Sequence, residues 1–413
     1  MQQTKPQGLA AYVTVTAAYW AFMLTDGALR MLVLLHFHTL GFSPLQLAYL
    51  FVLYEAMGMV TNLSAGWIAA RFGLTSTLYA GLGLQVAALL ALTQLDPAWA
   101  QSTSVIFVMA VQALSGVAKD LAKMSAKSAV KLLAPKGQGG LFRWVAILTG
   151  SKNAVKGLGF LLGAALLGLA GFQTALLFMA ATLGMILAAI IAFMPKGLPQ
   201  GAKSAKFSHI LSTDAKINRL SFARMFLFGA RDVWFVVGIP VYFYATLSDG
   251  TPEGNRATFF LIGSFMALWI IFYGLVQTLA PKLLRAKHKS LTEITQSAAQ
   301  WAALLTLIPL ILATIAWASP PALPMIMVAG LLVFGFVFAV NSSLHSYLIL
   351  AFTTDARVTM DVGFYYMSNA AGRLLGTLLS GLSFQAGGLP LCLLTAALMA
   401  VISTLGAWRL RQA

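Results

Sequence analysis

Apolar stretches long enough to cross a lipid bilayer follow one another along almost the whole chain, from about residue 9 to residue 408. A spanning helix needs about 20 predominantly apolar residues, and regular hydrogen-bonded structure is obligatory at that depth. The stretches read as spans at 9–40, 44–70, 75–95, 103–131, 141–170, 172–194, 220–247, 257–280, 292–318, 323–352, 361–386 and 389–408. The expected fold is an all-α membrane protein with twelve transmembrane helices. Composition rules out a large soluble domain: 59% of the 413 residues are hydrophobic and 9% charged, where globular chains carry about a quarter charged. The first stretch is too long for a signal-peptide core and holds Asp26 and Arg30, so it is expected to be retained.

One polar segment, Pro195 to Arg219, is longer than the rest and carries Lys196, Lys203, Lys206, Lys216 and Arg219. It divides the chain into an N-terminal six-helix half (1–195), a basic linker (196–219) and a C-terminal six-helix half (220–413). Lys5, Arg71, Lys131, Lys136, Lys282, Arg285, Lys287, Lys289, Arg357, Arg409 and Arg411 fall on the linker's side, and the opposite loops hold only Arg256. By the positive-inside bias, both termini and the linker face the cytoplasm of a bacterial inner membrane. Two similar halves around a linker is the plan of a transporter. An internal echo fits it: Thr25 to Arg30 resembles Phe228 to Asp232, with Gly27-Ala28 set against Gly229-Ala230.

Charges inside the spans carry the functional signal, because each costs about 2.5–3.5 kcal/mol near the bilayer centre unless it faces water or a partner. Asp26, Arg30, Glu55, Lys119, Asp120, Lys152, Lys156, Arg224, Arg231, Asp232 and Arg373 lie there. Seven are basic and four acidic, so pairing every acid once leaves three cations. An anionic substrate is the simplest counter-charge. Arg30, Lys119, Lys152, Lys156, Arg231 and Arg373 are the expected substrate ligands, with Asp26, Glu55, Asp120 and Asp232 as pairing or coupling groups.

Lys152 and Lys156 repeat at i and i+4 near mid-depth, beyond the reach of snorkelling. Lys119, Lys123, Lys127 and Lys131 form a similar ladder, whose last three members read as lying beyond the inner interface; Asp120 can offset Lys123 at i+3. Asp26 and Arg30, at i and i+4, suggest an intrahelical ion pair, and Glu55 or Asp120 an internal partner for Lys152 or Lys156. Glu55 is also a candidate proton carrier. Arg231 and Arg373 offer the bidentate fork that suits carboxylate or phosphoryl oxygens. Arg224, a helix face away, reads either as part of that ring or as an inner-end anchor. His345, with Asn341, Ser342 and Ser343, reads as pathway or as packing.

Other classes find little support. The net charge of +16 is not interleaved with aromatics in a soluble stretch, which argues against nucleic acid. Cys392 is the single cysteine, and the His36-x-His38 pair lacks further ligands, so neither metal nor cofactor is expected. No metalloprotease, nucleophile-elbow or phosphate-loop motif occurs, so the chain is read as a non-enzyme without an ATP site. Its expected partners are membrane lipid and a small anionic solute, and it is expected to act as a monomer.

The arrangement resembles the major facilitator superfamily, whose loop motif between spans two and three is similar to Gly66-Trp67-Ile68-Ala69-Ala70-Arg71-Phe72-Gly73. Ala70 stands where that family has an aspartate, and Leu74-Thr75 where it has a basic pair. Gly157-x-Gly159-x3-Gly163 is similar to the superfamily's antiporter motif without its proline. Within the superfamily, the segments Tyr19 to His38, Leu114 to Leu133, Trp144 to Gly163 and Arg224 to Val237 resemble the ArsJ family of organoarsenical efflux permeases. That resemblance implies export of 1-arseno-3-phosphoglycerate, with glyceraldehyde-3-phosphate dehydrogenase as the functional partner that makes it from arsenate. The exported compound would hydrolyse outside and release arsenate.

Overall fold

The computed structural model describes residues 5–133, 140–194, 211–284, 289–353 and 358–410, which are almost wholly helical, with no strand among them. Lys136, Lys196, Lys203, Lys206, Arg285, Lys287, Arg357 and Arg411 lie outside the described residues, as do the side chains of Lys5, Lys127 and Lys131. Ten helices run in order: α1 (Lys5–Thr39), α2 (Pro44–Phe72), α3 (Leu74–Leu92), α4 (Gln101–Leu133), α5 (Gly140–Ala170), α6 (Phe172–Phe193), α7 (Ala215–Leu247), α8 (Pro252–Leu283), α9 (Leu291–Ala318) and α10 (Leu323–Phe352). The remaining stretch, Val358–Arg409, is broken at Gly387 and Gly388, whose backbones are non-helical, and its two arms are α11 and α12. Eleven segments are long and apolar enough to cross a membrane, and the last of them holds two helices, which gives twelve among the described residues.

Local chemistry explains several boundaries. Gly73 (φ 79°) and Gly171 (φ 77°) turn the chain from α2 into α3 and from α5 into α6 within a single residue, at a backbone angle that glycine takes without strain. Gly73 is the last residue of the loop motif. Asp214 caps α7 by accepting from the backbone N–H groups of Lys216 (2.7 Å) and Ile217 (3.1 Å). Lys216 and Arg219, read from sequence as linker, therefore sit on the first turns of α7.

Helix α7 is not uniform. Pro240 has no N–H to donate and its ring would clash with the carbonyl one turn back, so the helix widens into a π-turn at Trp234–Gly238. The neighbouring arms seal that irregularity. Ser380 Oγ accepts from the backbone N–H groups of Val237 and Gly238, both at 3.2 Å, and the Cys392 thiol donates to the Val233 carbonyl at 3.0 Å.

Glycines set the closest helix contacts. Gly159 and Gly163 of α5 lie against the backbone of Leu24 and Ala28 of α1, where a methyl group would overlap a carbonyl oxygen. Gly372 and Gly376 of α11 do the same against Met225 and Gly229 of α7; a methyl at Gly376 would sit 2.7 Å from the Gly229 oxygen. These matched contacts set Ala28 opposite Gly229, one residue away from the register of the echo read in the sequence. In the packed register Arg30 corresponds to Arg231.

The first and last six helices meet along two pairs, α2 with α11 and α5 with α8. Gly157 of α5 faces the Ala267 backbone of α8, and Gly381 of α11 faces Pro44 and Ala48 of α2. Where α1 ends and α2 begins, the halves share one apolar core: Met31, Leu35, Phe160 and Ala164 pack with Phe235, Ile239 and Phe243. At the opposite end, Val15, Tyr19, Leu74 and Ile190 belong to a core drawn from the first six helices. The two halves are therefore sealed against each other at the end where α1 stops.

Candidate functional site

A cavity of about 190 Å³ lies between the two sets of six helices. Its cations come from both sides: Arg30, Lys119, Lys123, Lys152 and Lys156 from α1, α4 and α5, and Arg224, Arg231 and Arg373 from α7 and α11. Four carboxylates serve them. Asp120 and Asp232 line the cavity, and Asp26 and Glu55 stand behind it, 3% and 0% exposed. Eight cations against four acids leave a larger surplus than the three expected from sequence, because Lys123 points into the cavity instead of lying beyond the interface.

Five charges of alternating sign cross between the halves. Arg30 Nη2 donates to Glu55 Oε1 at 2.6 Å, and Arg373 Nη2 donates to the same oxygen at 2.5 Å. Arg373 Nε stands 3.4 Å from Asp232 Oδ2, within ion-pair distance but without hydrogen-bond geometry. Asp232 in turn accepts from Arg231 Nε at 2.5 Å. The row Arg30, Glu55, Arg373, Asp232, Arg231 thus ties α1 and α2 to α7 and α11. Glu55, which sequence suggested as a partner for Lys152 or Lys156, instead neutralises two arginines from opposite halves.

A second group is built around Tyr54. Its hydroxyl hydrogen-bonds Asp26 Oδ1, and Lys156 Nζ reaches Asp26 Oδ2 at 2.8 Å. The Tyr54 ring lies under two cations, Lys119 Nζ at 3.9 Å and the Arg30 guanidinium carbon at 5.1 Å. The intrahelical Asp26–Arg30 pair expected from spacing does not form. Close packing of α5 on α1 at Gly159 brings Lys156, one turn away, to Asp26, and Arg30 turns to Glu55.

The third group holds Asp120 in place. It accepts from Lys123 at 2.5 Å, the Thr61 hydroxyl at 2.8 Å and the Asn62 amide at 3.2 Å, and Lys123 also donates to Asn62 Oδ1 at 2.6 Å. The i,i+3 offset of Lys123 by Asp120 read in the sequence is therefore present. Neutral groups continue the polar wall: Asn153 donates to Gln277 at 3.2 Å, and Gln277 to Ser342 Oγ at 3.0 Å, joining α5, α8 and α10.

All six cations expected as ligands, Arg30, Lys119, Lys152, Lys156, Arg231 and Arg373, line this cavity. Tyr54, Asn62, Lys123, Asn153, Gln277 and Arg224 join them or support them and were missing from that set. Arg224 and Arg231 are seven residues apart, two turns, so they share one face of α7 instead of lying a helix face apart. That spacing, with Phe228 between them, was the signal available.

Other candidates sit elsewhere. His36 stacks on Phe172 at 4.0 Å and His38 lies edge-on to Tyr244 at 4.8 Å, and among the described residues no group of three His, Cys, Asp or Glu side chains gathers as metal ligands would. His345 is fully buried and does not line the cavity, although Ser346 beside it does.

No family model matches the chain, and no curated protein matches it in sequence. Its fold does match a solved one: a crystal structure of a POT family transporter in complex with a thioalcohol-conjugated peptide superposes with a TM-score of 0.70, 15% sequence identity, and coverage of 97% of this chain and 95% of that one. Twelve apolar helices, meeting as six and six around a charged central cavity, define a multi-pass membrane protein. Its fold is of the major facilitator type.

Proposed function

We propose that the protein is a secondary transporter that exports an organic polyanion across the bacterial inner membrane by alternating access. The observation that carries this reading is the cavity itself, shared by both halves and lined by eight cations served by four carboxylates. A low-dielectric site cannot hold such a surplus bare, and an anionic solute supplies the missing charge. The fold supplies the motion: two six-helix units rock about a midplane site, exposing it to one side at a time. With the termini cytoplasmic, the sealed end is the outer one and the conformation faces inward.

In this reading Lys152, Lys156, Arg231 and Arg373 hold the oxyanion groups, with Arg30 and Lys119 beside them. Asp26, Asp120, Asp232 and Glu55 keep the cations ordered when the cavity is empty. The resemblance of four charged segments to organoarsenical efflux permeases supports 1-arseno-3-phosphoglycerate as that anion.

Arsenate resistance and cellular arsenic content test this, in bacteria lacking other arsenic exporters and expressing the chain with and without extra glyceraldehyde-3-phosphate dehydrogenase. Resistance and lowered arsenic are expected only with both. No effect from a well-expressed protein would overturn the arsenical substrate. Export unchanged in both Lys156→Ala and Arg231→Ala would remove the cavity from the mechanism.

A further inference from the structure

Arg224 differs from the other cavity arginines. Arg30, Arg231 and Arg373 each contact a carboxylate, whereas Arg224, 4% exposed, has none within ion-pair distance among the described residues. Its partners are neutral. Nε donates to Asn369 Oδ1 at 3.2 Å, Nη1 donates to the Ser342 carbonyl and hydroxyl at 3.0 Å each, and the guanidinium lies 4.0 Å over the Phe228 ring. Nη2 makes no hydrogen bond among the described residues, and the side chain lines the cavity. A buried guanidinium fixed by neutral acceptors, with donors to spare, lacks only an anion.

Its position gives that anion a distance from the charge row. Arg231 lies two turns further along α7, and its guanidinium carbon stands 4.9 Å from the centre of the same Phe228 ring. The two charges are therefore no further apart than the two ring distances laid end to end.

We propose that Arg224 is an anion anchor of the cavity, binding one carboxylate or phosphoryl-type end group of the solute while the row at Arg231 and Arg373 meets the other. This rests on the reading of the cavity as an organic-anion site. Asn369 and Ser342 are then positioning residues that fix the guanidinium with Nη2 left to donate to the solute, and Phe228 spaces the two anchors.

Binding of 3-phosphoglycerate, glycerol 3-phosphate and glycerate to purified full-length protein in nanodiscs, measured by titration calorimetry, tests it in the wild type and in Arg224→Gln and Arg224→Lys. In the wild type, 3-phosphoglycerate is expected to bind tightest. Arg224→Gln is expected to weaken it by about ten- to hundredfold, down to the affinity of whichever compound lacks the end group that Arg224 holds, while leaving that compound's own affinity unchanged. Arg224→Lys is expected to restore part of the loss. An equal loss for all three probes, or none, in a variant that keeps its melting temperature would overturn the anchor. No binding of any probe to the wild type would overturn the organic-anion reading, and the anchor with it.

Discussion

Glu55 of α2 and Arg373 of α11 meet at 2.5 Å across the two halves, and the same carboxylate oxygen receives Arg30 at 2.6 Å. Glu55 stands behind the cavity and pairs with two arginines that line it, so an anion approaching those arginines competes with a carboxylate of the protein itself.

Glu55→Gln should separate those two functions. Breaking a buried ion pair from one side costs about 3–5 kcal/mol, so the ligand-free variant is expected to melt several degrees lower. The freed arginines should also make the rise in melting temperature on adding 3-phosphoglycerate larger than in the wild type. An unchanged melting temperature would show that the contact contributes nothing to the empty state.

Tyr54 offers two effects that can be pulled apart. Tyr54→Phe removes the hydroxyl bonded to Asp26, worth about 1.5–3 kcal/mol for a charged partner, and keeps the ring beneath Lys119 and Arg30. Tyr54→Leu removes both. Transport normalised to membrane abundance is expected to fall several-fold in the first and much further in the second. Equal losses would show that the ring adds nothing to cation placement.

The glycine contacts predict a sharp contrast between two alanine substitutions. Gly372→Ala places a methyl group into the Met225 carbonyl, and abundance of folded protein is expected to collapse. Gly184→Ala meets nothing within 4 Å, and in a helix the change should stabilise by about 0.5–1 kcal/mol. Size-exclusion profiles from detergent extracts compare the two, and a well-folded Gly372→Ala would refute the packing argument.

The sealed end can be locked. His38 of α1 and Tyr244 of α7 lie ring to ring at 4.8 Å across the halves, and Cys392, the single native cysteine, is buried. His38→Cys combined with Tyr244→Cys is expected to cross-link through a short bis-maleimide and to stop transport, with each single variant unaffected. Full activity after complete cross-linking would mean that this end does not open.

The spans and the charges inside them were legible because hydropathy and charge are local properties. The twelve segments fall within several residues of their expected ends, and every expected cation of the site lines one cavity. Partnership was not legible. Spacing alone pairs Asp26 with Arg30, yet Asp26 takes Lys156 from a helix more than a hundred residues away, because Gly159 lets two backbones touch. Lys123 was read as lying beyond the interface for a related reason: its depth depends on Asn62 and Asp120 drawing it inward. Arg224 lacked an acid to flag it, and the absence of a partner cannot be seen until the neighbours are placed.

In the transporter proposed above, the imbalance of eight cations over four acids would also make the empty carrier an electrical object. Moving one elementary charge through the membrane field takes about 2.3 kcal/mol per 100 mV, so the leg of that cycle made without solute would respond to voltage in proportion to the surplus charge. A polyanion in the cavity would cancel much of that charge and make the loaded leg nearly indifferent to voltage. Membrane potential would then set the rate at which the carrier resets more than the rate at which it delivers.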